Sequence, residues 1–173
     1  LIGLLVPGTV ETSMGVQKIS ELENGYYEQS EKIIKMVMLV VTSLGTVMIP
    51  CNANAVETGN KDEFINNIYN AFYFIFFLGC PIMFGLIAVS NNFAPWFFGS
   101  GYDKVPILMK MFAPLIMIIG CSNVLGLQYL LPLKRDKYYT ISIVIGSVLN
   151  LGANFLLIPK FLSYGACLST IFA

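Results

Sequence analysis

The sequence predicts an all-α protein, a polytopic bundle of transmembrane helices. Three observations lead there. Of 173 residues, 56% are hydrophobic and only 12% charged, about half the roughly 25% charge of a soluble domain. The mean hydropathy is +0.73. The charges also cluster: none falls within 64–102, 111–133 or 138–159, and a helix crosses a bilayer core with roughly 20 apolar residues.

The same counts exclude several function classes. Net formal charge is zero, so no basic field points to nucleic acid. Histidine, the commonest general base and metal ligand, is absent. The four cysteines, Cys51, Cys80, Cys121 and Cys167, are scattered without zinc-like spacing. No glycine-rich phosphate loop or hydrolase nucleophile set occurs. The expectation is a non-enzyme with no cofactor and no metal.

In order, 1–6 reads as the tail of an apolar helix, broken at Pro7-Gly8. Thr9–Glu31 is polar, with room for a short surface helix and a turn at Asn24-Gly25, and Tyr26-Tyr27 suits the headgroup level. The first complete span is 32–50, ended by Pro50, and Cys51–Glu63 is a polar connector. The second span, 64–89, is ring-rich and should kink at Gly79-Cys80-Pro81. Trp96, Phe97 and Phe98 then make an interfacial anchor before a turn. The third span, 105–133, is interrupted by Pro114. The fourth, 138–158, is closed by Pro159-Lys160, and a fifth starts within 166–173. The chain thus reads as a membrane-protein segment cut at both ends. The tight basic turn Lys134-Arg135-Asp136-Lys137 is placed in the cytoplasm, where basic loops concentrate.

Lipid penalises stray polarity, so polar residues inside spans are informative. In the fourth span Ser142, Gly146, Asn150 and Asn154 recur every four residues, one stripe of a helix. Such a stripe faces protein or water. Two readings stand: the wall of a hydrated cavity, or helix packing glued by asparagine hydrogen bonds. Asn123 and Gln128 are the equivalents in the third span. An amide both donates and accepts, which suits sugar hydroxyls or phosphate oxygens. Lys32 and Lys35 open the first span behind Glu28 and Glu31. They fit helical ion pairs with snorkelling stems, or a cationic rim for an anionic headgroup. No carboxylate lies deep in a complete span.

The order GYYEQSEKI, SLGTVMIP, LGLQYLLPLKRDKYY and GSVLNLGANFLLIPKFLSYGA resembles polysaccharide flippases of the multidrug/oligosaccharidyl-lipid/polysaccharide exporter superfamily. The resemblance covers nearly the whole chain. It implies a fragment of a two-lobed transporter of some twelve to fourteen helices, alternating between inward-open and outward-open states. The cargo it implies is a polyprenyl-diphosphate-linked oligosaccharide, flipped across the cytoplasmic membrane for cell-surface polysaccharide export. Membrane lipids and other polysaccharide-assembly proteins are the further partners it implies. Asn123, Gln128, Asn150 and Asn154 would line the cavity. The alternatives are a drug or metabolite antiporter of the same superfamily, which needs a buried acid, and a non-transporting membrane protein of glycan assembly.

Overall fold

The structure, a computed structural model, describes residues 8–12, 15–99 and 101–173. The expected helix tail at 1–6 lies outside them. A two-stranded antiparallel hairpin comes first: β1 (Thr9–Thr12) and β2 (Gly15–Lys18), with Thr9 opposite Lys18. Every later element is helical. These are α1 (Ile19–Glu57), α2 (Lys61–Phe98), α3 (Val105–Phe112), α4 (Leu115–Asn123), a π-helical segment (Val124–Leu130), α5 (Asp136–Phe161) and α6 (Ser163–Phe172).

Four helical stretches are long and apolar enough to cross a membrane: Ile19–Glu57, Lys61–Phe98, Val105–Leu130 and Asp136–Phe161. Their outward side chains are large and apolar. Tyr69 is 72% exposed, Val148 65%, Leu156 74% and Trp96 80%. Water would penalise so much exposed apolar surface, whereas hydrocarbon accepts it. The chain is a multi-pass membrane protein.

The helices run longer than the apolar segments, for local reasons. The expected surface helix and Asn24-Gly25 turn are replaced by the hairpin and by α1 itself, which passes through both residues. A helical glycine costs about 1 kcal/mol. Packing of Ile19, Tyr26, Tyr27 and Ile33 against the buried cores opposes that cost. Pro50 does not end α1 either; the helix continues to Glu57. Beyond the proline Asn52 and Ala55 are buried, and tertiary packing of this kind outweighs a local helix breaker in a membrane. The stop is instead at Gly59, whose φ of 73° gives the left-handed conformation that glycine adopts freely. Asn60 then starts α2, accepting the Glu63 N–H at 3.2 Å while its amide donates to the Glu63 carboxylate at 2.8 Å. Likewise Pro159 sits inside α5, which ends at Phe161. Pro114 does interrupt the third stretch, between α3 and α4.

The fold divides into two compact units, Leu1–Ile34 with Leu86–Ala113 and Ile145–Ala173, and Lys35–Gly85 with Pro114–Val144. Within the first, Ala94, Val105 and Met109 form a core with Tyr26, Ile33 and Phe93. Ile158 and Ala166 form a second, with Ile19 and Tyr27. Within lipid, helix association relies on close packing rather than on water exclusion. Gly165 shows this, because a Cβ there would collide with the Leu157 carbonyl of α5. In the second unit the ring of Tyr139 occupies the space a Cβ on Gly126 would need, and Phe64 stacks on Tyr129 with centroids 5.8 Å apart.

Candidate functional site

The polar stripe of α5 faces α6 within the first unit. Asn154 Nδ2 donates to Asn150 Oδ1 at 2.6 Å, and Ser169 Oγ donates to Asn154 Oδ1 at 2.6 Å. Asn150 Nδ2 reaches the Ser169 carbonyl at 3.4 Å. Gly146 lies on the same face, beside the Ala173 carbonyl. Ser142 belongs to the other unit and turns its hydroxyl to the Tyr139 carbonyl. Asn150 and Asn154 of the stripe thus hydrogen-bond with each other and with Ser169 of α6.

The same two residues border a cavity. Asn150, Asn154, Thr170, Asn24 and Tyr27 surround a space of about 180 Å³, with Ile158 and Ala166 as its apolar wall. The Tyr27 and Thr170 hydroxyls are 3.1 Å apart. No lining side chain is ionisable to an anion or cation in the ordinary range except the tyrosine phenol, so the cavity presents neutral donors and acceptors. Its surplus amide hydrogens and lone pairs suit hydroxyl or amide groups of a ligand.

A charged cluster lies in the same unit. Glu23, one residue before Asn24, is 3% exposed. Its Oε1 accepts from Lys104 Nζ. Its Oε2 accepts from Ser163 Oγ at 2.5 Å and from the Ser163 N–H at 3.3 Å. A carboxylate at the first N–H of α6 suits the positive end of the helix. Lys104 Nζ also lies 5.9 Å from the ring centroids of both Tyr26 and Tyr164, within cation–π reach. Tyr26 donates its hydroxyl to the Gly101 carbonyl at 3.1 Å. Leu162, the link from α5 to α6, has φ 55° and ψ −130°, a conformation that costs a non-glycine residue about 1–3 kcal/mol.

The other sequence-predicted residues sit elsewhere. Gln128 and Asn123 belong to the second unit, and neither lines the asparagine cavity. Gln128 is 2% exposed in the π-helical segment, and its backbone carbonyl accepts from Asn52 Nδ2 at 3.1 Å. Its Oε1 and the Oδ1 of Asn52 are buried with no hydrogen-bond partner among the described residues. Lys32 and Lys35 are exposed on α1. Among the described residues, no three His, Cys, Asp or Glu side chains gather in a way that would hold a metal.

Sequence reasoning missed Glu23, Asn24, Tyr27, Lys104, Ser163, Ser169 and Thr170. Ser169 and Thr170 carried a signal, being hydroxyls in an apolar segment. Glu23 and Lys104 did not, because 81 residues separate them and either could be a solvated connector charge.

Residues 16–106 match a protein-family profile described as polysaccharide biosynthesis protein. Over 143 residues, 81% of its length, the chain is 24% identical to the lipid II flippase MurJ of Bacillus subtilis. It spans about a quarter of that relative, 26% of its length. No solved structure matches the chain.

Proposed function

The chain belongs to the polysaccharide biosynthesis protein family, and from that premise we propose that it is part of a flippase for lipid-linked oligosaccharides. The cargo in this reading is a polyprenyl-diphosphate-linked repeat unit, moved across the cytoplasmic membrane for export of a surface polysaccharide. The observation that carries it is the asparagine cavity. Two helices of membrane-spanning length, α1 and α5, border a neutral, hydrogen-bonding space together with α6. An oligosaccharide headgroup needs such groups to replace its water, while its lipid tail remains in the bilayer. The likeness to a lipid II flippase supports the same class of cargo.

In this reading Asn150 and Asn154 contact sugar hydroxyls directly. Asn123 and Gln128, in the second unit, would likewise bind cargo hydroxyls through their amides. Lys32 and Lys35 form a cationic rim that receives the diphosphate. All act by binding; none breaks a covalent bond. The antiporter alternative asks for a buried acid, and Glu23 is one. That carboxylate already holds Lys104 and Ser163, so it acts as structure rather than as a vacant cation site.

Deleting the full-length gene in its host tests the proposal. The expected result is loss of surface glycan together with lipid-linked repeat units retained inside. Normal surface glycan in a host without a second transporter of this class contradicts it.

A further inference from the structure

We propose that α6 is the movable wall of the asparagine cavity, and that the buried Glu23 carboxylate is the latch that holds it shut. The proposal rests on reading that cavity as a ligand site. Its starting point is size. The cavity holds about 180 Å³, below the roughly 300 Å³ at which small-molecule sites begin. The cavity is partly open to its surroundings, and a wall that gives way would widen it toward that size.

The three walls differ in how they are joined. α1 and α5 each present their cavity residues from a continuous helix. α6 follows α5 through the single residue Leu162. With φ 55° and ψ −130°, Leu162 is held where a leucine does not rest by itself. Something must hold it there, and Glu23 is placed to do so. It takes both the N–H and the hydroxyl of Ser163, the residue after Leu162. Lys104 in turn fixes the carboxylate from the segment before α3.

Two turns further along, α6 carries Ser169 and Thr170. The first bonds Asn154 and the second lines the cavity against Tyr27. Releasing Ser163 frees Leu162 to relax and lets Thr170 swing away from Tyr27. The adjacent residues Glu23 and Asn24 thus have separate tasks, one holding the wall and the other lining the space. Glu23 is a positioning residue in this account and touches no cargo.

The test needs no substrate. In the full-length protein with every native cysteine replaced by serine, Cys51, Cys80, Cys121 and Cys167 among them, Thr170→Cys supplies a thiol on the wall. Ala94→Cys supplies a buried one in the same unit but off α6. A water-soluble maleimide reports the exposure of each. Adding Glu23→Gln should speed labelling at the Thr170→Cys thiol about tenfold or more, the factor that one lost charge-assisted hydrogen bond brings to an opening equilibrium. The Ala94→Cys thiol should stay slow. Ser163→Ala, which keeps the carboxylate and the Lys104 pair, should give the same direction with a smaller rise. It also serves if Glu23→Gln fails to fold. Unchanged labelling on α6 in both backgrounds overturns the latch. An equal rise at both thiols also overturns it, because the cluster would then merely hold the unit together. Faster labelling on α6, with transport unaffected by complete modification there, supports the latch and contradicts the cavity as the cargo site.

Discussion

Asn154 stands between two hydrogen bonds, accepting from Ser169 and donating to Asn150. Losing it should cost little stability. Interhelical hydrogen bonds in membrane proteins average about 0.6 kcal/mol, and the Ser169 hydroxyl has the Ala166 carbonyl 2.9 Å away as a second acceptor. Asn154→Ala should therefore lower unfolding free energy in detergent by about 1 kcal/mol while sharply reducing glycan export. Asn150→Leu should likewise impair transport with membrane insertion preserved, as surface-glycan staining and membrane fractionation would show. Normal export by both variants would remove the cavity from the mechanism. The Glu23–Lys104 pair is a different case. Glu23 is enclosed, whereas Lys104 keeps 37% of its side chain exposed. Removing one partner of a fully buried pair costs about 3–5 kcal/mol, and partial solvation places Lys104→Met near the lower end, about 3 kcal/mol. Thermal unfolding of the two variants should rank them in that order. By that ranking the ion pair, rather than the asparagine relay, anchors the first unit.

At the scale of elements, close backbone approach sets what the helices tolerate. A Cβ on Gly165 meets the backbone of Leu157 and Ile158, whereas a Cβ on Gly126 meets the Tyr139 ring. A ring can swing aside and a helix backbone cannot. Gly165→Ala should thus destabilise more than Gly126→Ala, by about 1–3 kcal/mol against less than 1, in thermal unfolding of the purified variants. The four-residue spacing of Gly146, Asn150 and Asn154 was legible in the sequence because helical periodicity is local. So was the break at Pro114. The passage of α1 through Pro50 was not legible, because burial of Asn52 and Ala55 decides it and burial depends on the rest of the fold. The π-helical segment around Gln128 also gave no signal, since nothing in its composition distinguishes it from an α-helical turn. At Thr9–Lys18, polarity alone did not distinguish a hairpin from a surface helix.

On the scale of the whole molecule, the apolar count and the long charge-free runs carried the class of protein directly, because hydrocarbon is the only solvent that suits such a surface. The protein should remain in the membrane pellet after alkaline wash and leave it only with detergent; release by alkali would contradict a multi-pass assignment. The cargo is a narrower claim, and it is tested most directly by reconstitution. The full-length protein would be placed in vesicles whose inner leaflet carries a fluorescent lipid-linked oligosaccharide, with a membrane-impermeant glycosidase outside. The account predicts that the inner pool becomes accessible to the enzyme with wild-type protein and far more slowly with Asn150→Leu. An inner pool that stays protected in vesicles shown to contain folded protein would contradict it.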